Sequence, residues 1–171
     1  MARNIEIKAR IHDIEAVTKR VAQFADQGPI ESEQDDTFFR CKNGRLKLRS
    51  LSSTEGKLIF YQRQNQPGPK ESFYLISPTS SPNSLREALT LAYGQAGRVR
   101  KVRTLFLVGR TRVHLDKVEG LGHFFELEVI LEEGESPETG IEEAHLLMDK
   151  LGVDSSQLVE CAYVDLLTQR F

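Results

Sequence analysis

The sequence predicts an α+β fold in which about eight antiparallel strands form a curved or closed sheet, flanked by about four helices. Strand-length segments alternate charged with aliphatic residues, and turn sequences such as Asn43-Gly44 join neighbouring segments as in antiparallel hairpins. Other segments carry apolar residues at helical spacing behind capping residues. With 171 residues, 39% of them hydrophobic, the chain can bury one substantial core but hardly two, so we expect a single domain over residues 1–171.

The first strand, with the sequence NIEIKARI, shows the alternation most clearly. Successive side chains of a strand point to opposite faces, which separates polar from apolar residues here. The polar face carries Asn4, Glu6, Lys8 and Arg10. One strand of this kind is typical of a sheet with one face on a core and the other in water, so it does not decide the function.

Seven further segments are predicted as strands from their alternation and from the turns between them. They cover residues 31–40, 45–51, 57–63, 70–76, 99–108, 111–118 and 123–131. Helices are predicted at 14–27 behind the N-cap Asp13, from Pro82 to the stop at Gly94, from Pro137 to Leu151, and at about 155–170.

The alternation recurs in most strands, and this recurrence is more informative than any single strand. The charged faces hold eight basic side chains, those of Lys8, Arg10, Lys47, Arg49, Arg63, Lys101, Arg103 and Arg112. They also hold four carboxylates, those of Glu6, Asp116, Glu126 and Glu128. An open sheet with one solvated face gives such a pattern. Eight strands can also curl into a closed barrel, which turns the charged face inward and leaves the aliphatic face to the helices.

A closed barrel with this interior needs a charged ligand. Buried like charges are costly unless they are paired or bound to an opposite charge. Arg offers planar bidentate donors and Lys a compact charge for phosphoryl oxygens, while clustered carboxylates suit Mg²⁺ or Mn²⁺. A small-molecule triphosphate with a divalent ion satisfies both sets of residues.

The composition argues against several other partners. A net charge of −2 disfavours duplex nucleic acid or an anionic membrane as a general partner. No apolar run approaches the roughly 20 residues of a membrane span, and MARNIEIK lacks the apolar segment of a signal peptide, so we expect a cytoplasmic protein. Cys41 and Cys161 lie far apart without a CxxC pair, which gives little support to a disulfide or zinc site.

Several short motifs occur in order along essentially the whole chain. They are EIK near the N-terminus, KVR, RVHLD, GLG, ELE, and an aromatic residue shortly before DLL. Together they resemble the CYTH family, the triphosphate tunnel metalloenzymes, which include class IV adenylyl cyclases and thiamine and inorganic triphosphatases. The resemblance implies a closed eight-stranded antiparallel tunnel in which acidic residues hold Mg²⁺ or Mn²⁺ and basic residues grip a triphosphate.

The resemblance also implies roles for individual residues. Glu6 and Lys8 are expected in catalysis. The substrate is expected to contact Lys8, Arg10, Lys47, Arg49, Arg63, Lys101, Arg103 and Arg112, and the metal to contact Glu6, Asp116, Glu126 and Glu128. Asn4 stands where the family signature has Glu, which removes one carboxylate, so that a second metal position is less expected than the first.

Two reactions can use such a tunnel. We expect metal-dependent hydrolysis of an inorganic, thiamine or nucleoside triphosphate, with a carboxylate such as Glu6 or a lysine as the base. The alternative is a class IV adenylyl cyclase that makes cyclic AMP and pyrophosphate from ATP, because LVGRTRVHLDKVEGLGHFFELEV resembles that branch. A non-catalytic polyphosphate or RNA-end binding module is a third alternative, which the carboxylates disfavour. The sequence is compatible with a monomer or a homodimer.

Other polar residues carry less weight. Of the four histidines, His114 is the best candidate because it shares a face with Arg112 and Asp116. Tyr163 either closes the tunnel or belongs to an apolar helix face. The acidic pair at 35–36 is interpreted as a polar loop.

Overall fold

Eight antiparallel strands close into a ring in the computed structural model, which describes residues 2–168. The strands are β1 (Ala2–Arg10), β2 (Gln27–Phe39), β3 (Arg45–Ser50), β4 (Gly56–Arg63), β5 (Lys70–Thr79), β6 (Gln95–Val108), β7 (Thr111–Val118) and β8 (Gly122–Ile130). Their order around the ring is β1-β5-β4-β3-β2-β6-β7-β8. The predicted closed α+β fold is thereby confirmed, and the open sheet is wrong.

The ring closes through β1, which pairs with a strand on each side. Asn4 lies opposite Ser72 of β5, and Lys8 lies opposite Glu126 of β8. Because every strand has two partners, one face of each strand is turned into the ring and the other outward. The charged residues of the alternating segments therefore face a common interior.

Four helices flank the ring, namely α1 (Ile14–Ala22), α2 (Pro82–Tyr93), α3 (Pro137–Leu151) and α4 (Tyr163–Thr168). Asp13 caps α1 as predicted, because its side chain accepts a hydrogen bond of 3.0 Å from the backbone of Ala16. Gly152 ends α3 in the left-handed conformation, with φ of 70°. None of the helices within residues 2–168 has the length and apolar character that a membrane crossing requires.

Helix α1 ends at Ala22, five residues before the predicted end, because the following chain pairs with β6. The backbone N–H of Asp26 donates to the carbonyl of Leu107 at 2.8 Å, and β2 begins at the next residue. Gly28, with φ of 110°, lies within this strand, and an added Cβ would come within 2.6 Å of the Leu105 carbonyl oxygen. Strand pairing therefore replaces the last turn of the predicted helix.

The predicted last helix is divided into a short 3₁₀ turn at Ser155–Gln157 and α4. Between them the chain runs along β1, where the backbone N–H of Val159 donates to the carbonyl of Lys8 at 2.9 Å. This pairing carries the chain across one end of the ring and places Tyr163 there. The predicted helix end at residue 170 lies outside the described residues.

Two hydrophobic cores hold the helices in place. The larger core lies between the aliphatic outer face of β1, β7 and β8 and the helices α1 and α3, and it includes Ile7, Leu127, Met148 and Leu151. The smaller core lies at one end of the ring, where the Phe124 and Tyr163 rings meet edge to face at 4.9 Å. This second core blocks the opening of the ring at the α4 end.

Candidate active site

A cavity of about 260 Å³ lies inside the ring and is lined by residues of all eight strands and α4. Seven of the eight predicted basic residues line it: Lys8, Lys47, Arg49, Arg63, Lys101, Arg103 and Arg112. Among the predicted acidic residues, Glu6, Glu126 and Glu128 line it. Strand alternation therefore brings most of the predicted site residues together around one cavity.

Two predicted site residues lie away from the cavity surface. Arg10 is exposed, and its guanidinium lies 4.9 Å from the centre of the Phe124 ring, at the α4 end of β1. Asp116 is fully buried behind the wall. Its two oxygens accept hydrogen bonds of 2.8 and 2.7 Å from Arg103, and the Tyr163 hydroxyl donates a third of 2.8 Å. Asp116 thus orients Arg103, and both of its oxygens already accept hydrogen bonds.

A cluster of cations surrounds Asp36, which is 1% exposed. Arg49 donates two hydrogen bonds of 2.8 Å to its two oxygens. The ammonium groups of Lys47 and Lys101 lie 3.7 and 3.5 Å from Oδ2. Burial alone would raise the pKa of Asp36, but these three cations outweigh it and hold that pKa far below its ordinary value. We name this group, Asp36 with Lys47, Arg49 and Lys101, the cationic cluster.

The cationic cluster has more positive than negative charge. Burial, together with the neighbouring Arg49, lowers the pKa of Lys47 to about 7. Burial and the nearby Arg103 lower the pKa of Lys101 to about 8. Lys47 also lies 5.1 Å from the centre of the Tyr61 ring, which provides some compensation. A bound anion would stabilise the charged form of both lysines.

The interpretation of the acidic pair at 35–36 as a polar loop is wrong, because both residues lie in β2. Asp35 faces outward, where Arg98 donates hydrogen bonds of 2.8 and 2.6 Å to it. Asp36, on the opposite face, enters the cavity and lies opposite Arg49 in the register of β2 and β3. The usable signal was the alternation itself, continued through the acidic pair.

A second cluster joins His114, Glu126 and Glu128 on β7 and β8, and we name it the donor cluster. One donor atom from each residue lies within 4.8 Å of the others. Arg103 donates to Glu126 at 3.0 Å, and Arg112 lies 2.8 Å from Glu128. Burial opposes ionisation of Glu126, but Lys8 and Arg103 hold its pKa well below the ordinary value. The donor cluster therefore presents ionised carboxylates next to an imidazole.

Glu6, although it lines the cavity, lies outside the donor cluster. Arg63 donates a short hydrogen bond to its Oε1, and this contact spans the interior from β4 to β1. The neighbouring Asn4 is buried, and its Oδ1 has no hydrogen-bond partner among residues 2–168. Of the predicted metal ligands, the structure thus brings together Glu126 and Glu128 but not Glu6 and Asp116.

The two ends of the cavity differ. Tyr163 and Ala162 line the α4 end, and the Tyr163 ring has the Lys8 ammonium 3.9 Å from its centre. Burial also opposes ionisation of Tyr163, whose pKa is raised well above its ordinary value. At the other end, Ile30 and Ile76 line the cavity while remaining 50% and 40% exposed. These two apolar side chains mark the mouth of the tunnel.

The ring and the residues that line its cavity define the chain as a tunnel protein. Its interior carries both the cationic cluster and the donor cluster, whose side chains are suited to bind a metal ion. Residues 2–163 match the CYTH domain model, and the chain belongs to the CYTH family. The resemblance predicted from the motifs is confirmed. Members of this metal-dependent family are adenylyl cyclases or triphosphatases.

Among the similar proteins, some are named as adenylyl cyclases and one is described by a triphosphatase activity. The chain is 26% identical to the adenylate cyclase CyaB of Aeromonas hydrophila over 96% of its own length and 88% of that protein. The PH1012 protein of Pyrococcus horikoshii OT3 has a TM-score of 0.84 at 22% identity, covering 95% of this chain and 98% of that one. The adenylyl cyclase candidate HpAC1 of Hippeastrum, described as having a dominant triphosphatase activity, has a TM-score of 0.67 at 14% identity and covers 99% of this chain and 95% of that one.

Proposed function

We propose that the protein hydrolyses a small-molecule triphosphate, in inorganic, thiamine or nucleoside form, with the help of Mg²⁺ or Mn²⁺. The observation that supports this function is that the cationic cluster and the donor cluster share one cavity of about 260 Å³. That volume lies just below the range of about 300–1,000 Å³ typical of pockets for drug-sized ligands. It suits a phosphate chain better than a whole nucleotide.

The basic residues of the wall bind the phosphate oxygens in this proposal. Arg49 and Arg103 are oriented by buried carboxylates, Asp36 and Asp116, each through two hydrogen bonds. Guanidinium groups held in this way are preorganised donors for the charge that develops on the leaving phosphate. Lys8, Lys47, Arg63, Lys101 and Arg112 complete the cationic wall, whereas Arg10 is left out because it lies outside the cavity.

The donor cluster fits a divalent ion. Its two carboxylates are suitable oxygen ligands, and the buried Nδ1 of His114 has no partner among the described residues. Glu126 and Glu128, with His114, would therefore hold the metal, which when bound offsets negative charge on the phosphate oxygens. Glu6 and Asp116 are not included, because neither belongs to the donor cluster; Arg63 contacts Oε1 of Glu6, and Arg103 contacts both oxygens of Asp116.

The proton of the attacking water needs an acceptor in the tunnel. Glu6 and Lys8 were predicted for this role, and both line the cavity. Lys47, whose pKa burial lowers to about 7, is not chosen for this role, because a bound triphosphate would stabilise its charged form. In this scheme Glu6 Oε or a lysine Nζ takes the proton while the cationic wall holds the terminal phosphate in line for attack.

A second candidate function is adenylyl cyclisation, in which the ribose 3′-hydroxyl attacks the α-phosphorus of ATP and pyrophosphate leaves. The observation that favours it is the apolar mouth, because Ile30 and Ile76 offer a surface for a base outside the charged interior. The similarity to CyaB supports the same reading. The similarity to HpAC1 supports hydrolysis.

The test is to incubate the protein with Mg²⁺ or Mn²⁺ and with inorganic triphosphate, thiamine triphosphate or ATP, and to separate the products. Orthophosphate without cyclic nucleotide supports hydrolysis, cyclic AMP with pyrophosphate supports the cyclase, and binding without turnover supports the non-catalytic module. Glu126→Gln is expected to lower turnover by roughly 10²-fold or more. Glu142→Gln, at an exposed position of α3, is the matched control. Unchanged turnover in Glu126→Gln would remove Glu126 from the mechanism.

The oligomeric state, monomer or homodimer, and the cytoplasmic location stay predictions from the sequence. The oligomeric state can be checked independently of turnover by light scattering on the purified chain.

A further inference from the structure

His114 is a buried imidazole whose Nδ1 has no partner among residues 2–168. The residue is 5% exposed and lines the cavity. Nδ1 lies 3.6 Å from Glu126 Oε2 and 3.9 Å from Glu128 Oε1. Both distances exceed the roughly 3.2 Å limit of a good N–H···O hydrogen bond. An unpaired polar atom in a buried position is costly, so this nitrogen needs an explanation.

The geometry around Nδ1 suits a shared ion. Two donor atoms on one ion, each with a bond of about 2.1 Å, can lie at most about 4.2 Å apart. The separations of 3.6 and 3.9 Å from Nδ1 to the two carboxylate oxygens both satisfy this limit. The Arg103 and Arg112 contacts involve Oε2 of Glu126 and Oε2 of Glu128. Glu126 Oε2, the oxygen nearer to Nδ1, therefore also accepts from Arg103, whereas Glu128 Oε1 is not the oxygen that Arg112 contacts.

We propose that His114 supplies a nitrogen ligand through Nδ1, so that the donor cluster selects a first-row transition ion over Mg²⁺, with Mn²⁺ the preferred ion of the two predicted from the sequence. Mg²⁺ favours an all-oxygen shell and retains several waters. Imidazole nitrogen suits transition ions better. The role of the ion in this assignment rests on the proposed function. The binding of the ion does not, because metal binding can be measured without any turnover.

The first experiment uses the full chain with Mn²⁺ or Mg²⁺ alone, without a triphosphate. Calorimetric titration is expected to show binding of Mn²⁺ at least about tenfold tighter than binding of Mg²⁺. Pulsed EPR of the bound Mn²⁺ is expected to show coupling to a directly bound imidazole nitrogen. Equal affinities for the two ions, or the absence of that nitrogen coupling, would overturn the assignment.

The second experiment compares His114→Asn with His145→Asn. The first variant exchanges the nitrogen for an amide in the tunnel, and the second makes the same change at an exposed position of α3. His114→Asn is expected to weaken Mn²⁺ binding by about 10- to 100-fold and to remove the nitrogen coupling, while Mg²⁺ binding changes less. His145→Asn is expected to behave as the unmodified chain. Unchanged Mn²⁺ affinity in His114→Asn refutes the ligand role.

The two experiments separate this metal site from the proposed function. If His114→Asn does not fold, as judged by circular dichroism, the EPR spectrum of the unmodified chain still decides. Nitrogen coupling without triphosphate turnover supports the ligand and rejects hydrolysis. Turnover without nitrogen coupling supports hydrolysis and rejects the ligand.

Discussion

Replacement of Asp36 by Asn tests the electrostatic design of the tunnel. In the unmodified chain, this one buried carboxylate compensates Lys47, Lys101 and Arg49. The Asn variant keeps the size of the side chain but removes its charge. We expect a less stable chain that gains more stability from a bound triphosphate than the unmodified chain does, because the ligand supplies the missing negative charge.

The magnitude follows from the burial of the cluster. Breaking a buried ion pair by removing one partner costs roughly 3–5 kcal/mol. A loss of about 1 kcal/mol shifts the melting temperature by roughly 2–4 °C in a domain of this size, so we expect a decrease of roughly 6–20 °C. The decrease should be smaller at pH 9 than at pH 6, because the pKa values of Lys47 and Lys101 are about 7 and about 8 and these lysines then lose their charge.

The assay is thermal and urea unfolding with and without inorganic triphosphate. Asp35→Asn is the matched control, since Asp35 is adjacent in β2 but faces outward and pairs with Arg98 at the surface. For that control we expect a change below about 1 kcal/mol. If Asp36→Asn is as stable as Asp35→Asn, or if triphosphate stabilises it less than it stabilises the unmodified chain, the assigned electrostatic role of Asp36 is wrong.

Three further predictions concern pH, α4 and the metal. The free energy of unfolding should rise between pH 7 and 10, by roughly 1.4 kcal/mol per pH unit for each titrating lysine. The reason is that the native pKa values of Lys47 and Lys101 lie below their unfolded values, so the unfolded chain binds more protons in this range. Urea midpoints that do not change with pH would contradict this. Tyr163→Phe should cost about 1–2 kcal/mol through loss of the hydroxyl donor to Asp116, with Tyr93→Phe, exposed on α2, as the neutral control; equal unfolding midpoints would refute it. A chelator should abolish triphosphate turnover without changing the far-ultraviolet circular dichroism, because strand pairing closes the ring without a metal; persistent turnover would exclude a metal requirement.

The inward-facing residues could be predicted because alternation along a strand has a fixed period of two. Once the ring closes, the charged strand faces that carry Glu6, Lys101 and Glu126 must all line the same interior. Local signals also sufficed for the third helix, whose limits at Pro137 and Leu151 follow from a proline at its start and Gly152 behind it. Both kinds of information act over a few residues and require no knowledge of distant partners.

Depth along the tunnel could not be predicted, because alternation assigns a face but not a position on the axis. Arg10 shares the face of Lys8 but lies beyond the wall, at the exposed end of β1. Asp116 shares the face of His114 but lies against Tyr163, where α4 crosses the ring. The path of α4 depends on pairing of residues 158–159 with β1, a long-range contact that no local pattern encodes.

The roles of Asp36 and His114 also needed the assembled ring. Two adjacent aspartates are typical of loops, and only the pairing of β2 with β3 and β6 shows that one of them is buried among cations. A lone histidine on a strand is usually structural. Its proximity to Glu126 and Glu128 arises from the register of β7 and β8.

Because α4 blocks one end of the ring, the proposed hydrolysis would follow a definite order of product release. Among the described residues, Tyr163 and the core around it block one end, and the mouth at Ile30 and Ile76 is left for traffic. A phosphate chain that enters there with its free end first places its terminal phosphorus deepest. The orthophosphate released from that end then lies deeper than the diphosphate product. The diphosphate product should therefore leave first, and added diphosphate should inhibit by blocking the exit of orthophosphate.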